Sequence, residues 1–365
     1  MARLPDKTYI SYVTIPGSHD ASTGSGWADG YAAIGENYAR TQDLTIGEQW
    51  TQGVRAFDLR PCSYEDHLNL NHGIVPTVLH FDEVLCQLRD SLKANPSEFV
   101  IIHIRHESEG DRVENVYDEQ IKELFKRDDL KDYLVNFKVA LRVSDMRGKI
   151  LILSRNTYGT TPIGGFIQNW TSDANWDRQT QGKIVGPKNA SAPLYMQDYY
   201  ETYASGAMQT KIDAITKMLD YSTTHRSLLV SQVVWVLNFA SAYSKVEKLL
   251  GDIATSDGYR DNAAHTHEAI LDYLSTHSGW AGVVMMDYAG VDESNGYKVR
   301  GQELVKALIE QNFTYLQDES DVSAVRAETP AEVYSVQGIH LPTPRRGTVN
   351  IIRQDDGTVR KVLMK

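Results

Sequence analysis

The 365-residue chain is poor in cysteine, with only Cys62 and Cys86, and it lacks both a long apolar run and an apolar leader. Two thiols make no disulfide framework and their spacing fits no zinc pattern, so free or loosely paired cysteines are expected. With no run of about 18 apolar residues, nothing is expected to span a bilayer. The opening Met1-Ala-Arg-Leu-Pro-Asp-Lys has no signal-peptide core, and the first strand pattern begins almost at once, which suggests a trimmed natural N-terminus. Basic residues are also scarce, 37 Lys and Arg against 48 Asp and Glu. The resulting charge of -11 argues against non-specific nucleic-acid binding and broad attraction to anionic membranes, but leaves room for a basic pocket. There is no tandem repeat or low-complexity tract. What is present is a 41% hydrophobic composition, enough for one barrel-sized domain with an appendage.

Apolar, β-branched stretches recur at Tyr9 to Ile15, Val54 to Leu59, Leu68 to Asn71, Phe99 to Ile104, Ile150 to Leu153, Leu194 to Met196, Leu228 to Leu237 and Gly282 to Met286. Several are continuously apolar, as suits parallel strands buried on both faces. Between them lie amphipathic helical patterns at Phe81 to Ala94, Tyr117 to Lys126, Met208 to Tyr221, Ala263 to Thr276 and Gly301 to Asn312. The alternation predicts an α/β fold, an irregular (β/α)8 TIM-type barrel over residues 1–316. Residues 317–330 are polar without periodicity and read as a linker. Residues 331–365 read as a small β appendix of about three strands, with a hairpin turn at Asp355-Asp356-Gly357.

Pro16-Gly17 is expected to end the first strand and present His19 and Asp20 to a cleft. In such a barrel the active site gathers at the C-terminal strand ends. Those ends carry His19, Asp20, Asp58, Arg60, His72, Arg105, Arg155, Asp198, Asn238 and Asp287. Two histidines can divide acid and base work in phosphodiester cleavage, while arginine forks match phosphate oxygens. His103 and His106 are expected to face away from Arg105 and to serve packing or the surface. His265 and His267 fall in a helical stretch, and His67 and His80 in loops. No cluster has metal spacing, and Arg60 and Arg105 would repel a cation, so no metal or cofactor is expected.

The segments Thr14-Ile-Pro-Gly-Ser-His-Asp, Val54-Arg-Ala-Phe-Asp-Leu-Arg, Asn71-His-Gly, Asn95-Pro-Ser-Glu, Arg147-Gly-Lys-Ile, Gln197-Asp-Tyr-Tyr and Leu237-Asn-Phe closely resemble bacterial phosphatidylinositol-specific phospholipase C. The resemblance runs in order from Tyr9 to Gln311 and implies an irregular (β/α) barrel. It also implies attack of the inositol 2-hydroxyl on phosphorus, releasing diacylglycerol and inositol 1,2-cyclic phosphate. On this likeness His19 corresponds to the general base, His72 to the general acid and Asp287 to the carboxylate that orients the base. Asp20 and Arg60 correspond to the pair supporting acid and phosphate. Arg105, Arg155, Asp198, Tyr200 and Asn238 fall in the substrate-binding set, Tyr200 stacking on the sugar face. Arg105 stands where the bacterial pattern has lysine, and Arg60 and Arg105 where calcium-dependent relatives have acidic residues. The Val-Tyr-Ser-Val-Gln-Gly and Asp-Gly-Thr-Val-Arg-Lys-Val patterns resemble C-terminal sorting-type β tails of secreted bacterial proteins.

The expected partner is a phosphatidylinositol-type lipid, met as a monomer with peripheral membrane contact, in a secreted, periplasmic or cell-surface setting. Trp27, Tyr31 and Tyr38 either insert among headgroups or pack over the barrel mouth. Two other readings stay open. A metal-dependent glycerophosphodiesterase would want acidic ligands where this chain has arginines. A catalytically silent inositol-phosphate or glycan-binding module would need the arginines but not a second proton-transfer histidine.

Overall fold

The computed structural model describes residues 1–156, 163–172, 180–200, 202, 207–224, 233–243, 245–248, 251–326, 332–336, 338–341, 347–353 and 359–363. Nine strands close a ring: β1 (Ile15–Ser18), β2 (Ala56–Leu59), β3 (Val100–Ile104), β4 (Ile150–Ser154), β5 (Gly165–Gln168), β6 (Thr180–Val185), β7 (Ser191–Gln197), β8 (Trp235–Phe239) and β9 (Val283–Met286). Around the ring they run β3-β2-β1-β9-β8-β7-β6-β5-β4, and β4 pairs back onto β3. All neighbours are parallel except β5–β6 and β6–β7.

The barrel is therefore the expected TIM type with one strand more than the predicted eight, and that strand reversed. Between β6 and β7 only residues 186–190 intervene, too few for a crossover helix, so the chain must fold back antiparallel. The predicted strand at Leu68 to Asn71 is not in the ring. Leu68–His72 pairs antiparallel with Pro61–Ser63 and Val75–His80 in a separate sheet beside it, because short connections again force reversal. The sheet grows directly out of the end of β2, so Arg60 sits at the junction and its carbonyl accepts from the Asn71 amide at 3.1 Å. That single connection brings Arg60 and His72 to the same end of the barrel.

β1 also differs from its sequence reading. Ile10–Tyr12 forms a tight helical turn, and the strand contains Pro16 and Gly17 rather than stopping at them. Pro16 still accepts from the Arg55 amide at 3.0 Å, losing only the donor it never had. Gly17 is required by crowding: a Cβ there would lie 2.5 Å from Met285 Sδ and 3.1 Å from the Ala56 Cβ. The strand ends at Ser18, and Asp20 follows in a left-handed conformation with φ 44°.

Along β3 the two-residue period divides the side chains. Val100, Ile102 and Ile104 join the outer core, whereas Ile101 and His103 line a cavity inside the barrel with Leu153, Leu194 and Met285. The outer core includes Leu85, Leu88 and Leu92 of α2 (Phe81–Ala94) and Ile121 of α3 (Tyr117–Lys126), with α1 (Ile46–Gln52) preceding them in the chain. Thr45 and Glu48 form a reciprocal cap that starts α1. Later come α4 (Ala207–Thr224), α5 (Ser256–Thr276) and α6 (Gly301–Arg326). Among the described residues no helix is long and apolar enough to cross a membrane.

The chain divides into compact units at Met1–Asn312 and Phe313–Lys365. The predicted linker over 317–330 gives way to helix as far as Arg326, since its acidic and polar residues carry no proline or glycine to stop α6. The second unit holds a four-stranded antiparallel sheet of β10 (Glu332–Ser335), β11 (His340–Leu341), β12 (Val349–Arg353) and β13 (Val359–Leu363), in the order β11-β10-β12-β13. The turn read at 355–357 and the start of the strand read at 228–232 lie outside the described residues.

Candidate active site

A cavity of about 270 Å³ opens at the C-terminal ends of the strands, lined by His19, Arg60, His72, Arg105, Arg155 and Asp198, with Ser172, Tyr200, Ser241, Tyr243 and Tyr259. Of the residues singled out from sequence, His19, Arg60, His72, Arg105, Arg155, Asp198 and Tyr200 come together there, with buried Asp287 against His19 and buried Asp20 against Arg60 and His72.

His19 follows β1, and Asp287 follows its neighbour β9; Nδ1 lies 2.7 Å from Asp287 Oδ1. Its other nitrogen, Nε2, is 2.8 Å from Arg60 Nη2. A guanidinium only donates, so Nε2 accepts and the Nδ1 hydrogen points to Asp287. This is a neutral imidazole with its basic lone pair facing the cavity's cation. Burial pulls the His19 pKa down, but the charge and hydrogen bond of Asp287 outweigh it and raise the net value.

Arg60 is the hub. Nη1 lies 3.4 Å from Asp20 and 3.5 Å from Glu107, and Nη2 lies 3.3 Å from Asp58. Burial works against its charge, yet these carboxylates win and hold its pKa well above the ordinary value. Asp58 is buried too, but Arg60 and His103 keep it well below the usual carboxylate range. Burial has the upper hand at Asp20, whose pKa is raised despite Arg60 and His72.

Nδ1 of His72 is 2.7 Å from the Ala39 carbonyl and 3.4 Å from Asp20 Oδ2. A carbonyl only accepts, so Nδ1 carries a hydrogen and Nε2 is the exchangeable position. Gly73, at φ 57°, turns the chain away and gives its amide to Glu107 at 3.0 Å.

On the facing wall the Arg155 guanidinium lies 4.0 Å over the Trp170 ring, and burial lowers its pKa to about 10. Trp170 Nε1 donates to Asp198 at 2.9 Å, and Ser172 donates to the same oxygen at 2.8 Å. Arg105 reaches Glu107 at 3.4 Å and remains partly open. Tyr200 is exposed at the mouth, its ring 5.9 Å from that of Tyr243.

Two expectations fail. Asn238 does not reach the cavity: it is fully buried, its amide held by Gln197 at 2.8 Å and the Ile215 carbonyl at 3.2 Å. His103 does not face away from Arg105's side of the barrel. Residues two apart in a strand share a face, and its Nδ1 meets Asp58 Oδ1 at 2.7 Å inside the barrel. His106 does serve packing, stacked 3.6 Å from Tyr117. Trp27 packs with Ala39 and Val75 and donates to Glu36 at 3.0 Å.

Sequence reading missed Glu107, Trp170, Tyr243 and Tyr259. Glu107 carried a usable signal, being two residues beyond Arg105. The three aromatic residues come from connecting segments and from α5, where no periodicity marks a cavity. Both cysteines are free, Cys62 buried and donating to the Glu107 carbonyl.

Residues 16–156 match the family described as phosphatidylinositol-specific phospholipase C, X domain. The chain is 31% identical over 163 residues to 1-phosphatidylinositol phosphodiesterase of Listeria monocytogenes, a match covering 43% of this chain and about half, 48%, of that protein. It is 26% identical over 300 residues to the Staphylococcus aureus protein of the same name, covering 80% of this chain and 88% of that one. Superposition on a phosphatidylinositol-specific phospholipase C structure from S. aureus gives a TM-score of 0.67 at 22% identity, covering 86% of this chain and 96% of the other. The L. monocytogenes structure gives 0.61, covering 86% and 97%. In its fold, and in sequence over residues 16–156, the chain is similar to the bacterial phosphatidylinositol-specific phospholipases C of L. monocytogenes and S. aureus.

Proposed function

We propose that this protein is a metal-independent phospholipase C that cleaves phosphatidylinositol, or glycosylated lipids with the same headgroup. The inositol 2-hydroxyl attacks phosphorus, and the products are diacylglycerol and inositol 1,2-cyclic phosphate. The observation that carries this reading is the juxtaposition of a neutral His19, oriented by Asp287, with Arg60 and His72 around one cavity.

His19 Nε2 takes the hydroxyl proton and Asp287 stabilises the imidazolium that forms. As phosphate arrives, Arg60 trades His19 for the phosphoryl oxygens, so the base is freed when its substrate is in place. His72 supplies the proton for the glycerol oxygen. Internal attack needs no nucleophile from the protein and avoids much of the entropic cost of joining two reactants. Arg155 and Asp198 suit the phosphate and ring hydroxyls, and Tyr200 the sugar face.

Exposed Ile34, Tyr38, Ile74 and Val78 lie on the segments flanking His72 and support peripheral contact with a lipid surface. This fits a secreted, periplasmic or cell-surface enzyme. Phosphorus NMR of phosphatidylinositol turnover tests the reading: cyclic phosphate should appear first, and a 2-deoxyinositol lipid should resist cleavage. Acyclic inositol phosphate from the outset, or cleavage of the deoxy lipid, would mean direct attack by water.

A further inference from the structure

The nitrogen through which His72 can exchange a proton does not face empty cavity. Tyr259, in the first turn of α5, places its hydroxyl 3.3 Å from His72 Nε2. Among the described residues no other hydrogen-bond partner of that hydroxyl is found. The two rings lie 5.7 Å apart and tilted by 53°, so the contact runs through the polar atoms and not through stacking. Tyr259 is only 5% exposed, yet it lines the same cavity as His19, Arg60 and His72. Its ring is held on the other side by Tyr243, 5.9 Å away in an edge-on contact. For His72 to give its proton directly, the leaving oxygen would have to displace this hydroxyl.

We propose that Tyr259 is the catalytic group that protonates the leaving oxygen, and that His72 refills it; this rests on the reading of His72 as the source of that proton. As the phosphorus to glycerol-oxygen bond breaks and the bond from the inositol 2-oxygen forms, the leaving oxygen takes the Tyr259 proton. The tyrosine oxygen takes the Nε2 proton of the His72 imidazolium in the same event. His72 ends neutral, His19 ends protonated, and tyrosine is regenerated. The two transfers must be concerted, because burial and the charges of Asp287 and Asp20 push the Tyr259 pKa well above its ordinary value and forbid a free tyrosinate. The relay is thus a property of position: one atom interposed between an acid histidine and the bond that breaks.

The test compares Tyr259→Phe, His72→Ala and the double variant on two substrates, an inositol phosphodiester with an alkyl leaving group and one with a nitrophenyl group. A good leaving group needs no proton. Tyr259→Phe should lower alkyl turnover by about 100-fold or more, as His72→Ala does, leave aryl turnover within a few-fold, and add nothing in the double variant. An alkyl loss below about five-fold, equal losses on both substrates, or multiplied losses in the double variant would overturn the relay. If His72→Ala itself leaves alkyl turnover intact, the histidine reading fails first, a result separate from these. Should phenylalanine impair folding, 3-fluorotyrosine at position 259 keeps the shape and makes the hydroxyl more acidic. Alkyl turnover that does not respond to it, or aryl turnover that responds equally, would overturn the relay.

Discussion

Arg60 Nη2 and His19 Nε2 stand 2.8 Å apart, a cation donating to the lone pair that would take the substrate's proton. Arg60 also compensates three buried carboxylates, Asp20, Asp58 and Glu107. Arg60→Gln is therefore expected to cost both activity and stability: a turnover loss of roughly 10²-fold or more, and about 3 to 5 kcal/mol of stability from uncompensated buried charge. Denaturant unfolding beside steady-state kinetics checks the pairing of effects. An inactive variant of wild-type stability would show that the carboxylates do not depend on Arg60.

His19 must be neutral to act as base, and its pKa is raised above 6.5, so activity should fall as pH drops through that raised value. Asp287→Asn removes the larger of the two carboxylate charges that raise it, leaving Asp58 alone against burial and Arg60, both of which lower it. The acid limb of kcat/KM should therefore move to lower pH while kcat falls. A limb that stays in place would assign the titration to another group.

His19→Ala and His72→Ala should each reduce turnover by about two to four orders of magnitude, with binding of inositol phosphate less affected. A substrate with a much better leaving group should rescue the His72 variant more than the His19 variant. Equal rescue would contradict the division of roles.

Among the described residues three arginines face the cavity, and a divalent cation would have to enter against them. Activity is expected to persist in excess chelator. Loss of activity restored by calcium would overturn the arrangement of charges argued above.

Ending the chain at Arg326 should leave the barrel folded and active, because Met1–Asn312 is compact by itself. The melting temperature is the measurement, and a drop of more than about 4 °C, near 1 to 2 kcal/mol for a domain of this size, would show that the tail supports the barrel.

Much of the site was legible because its residues follow strands, where a short apolar run ending in charge announces the barrel mouth: His19 after β1, Arg60 after β2, Arg155 after β4, Asp287 after β9. Asn238 misled because it stands near the C-terminal end of β8 yet spends its amide on Gln197 and Ile215. β5 and β6 were illegible for a different reason. Gly165, Gly182 and Lys183 interrupt any apolar pattern, and these strands owe their place to neighbours rather than to their own composition. The hairpin around Leu68 to His72 shows the converse, since alternation reports a buried face without saying in which sheet. Tyr259 could not be found at all, because a tyrosine in the first turn of a helix looks the same whether it meets solvent or His72.

The strands that carry His19 and Asp287 are the first and last of the ring, and their side chains meet across 268 residues of sequence. During synthesis on the ribosome at 5–20 residues per second, roughly 15 to 50 seconds separate the emergence of one partner from that of the other. The His19 imidazole cannot meet Asp287 until β9 has closed against β1. If His19 is the base proposed above, a nascent chain is silent toward lipid, and the onset of turnover in a translation reaction would time the closure of the barrel itself.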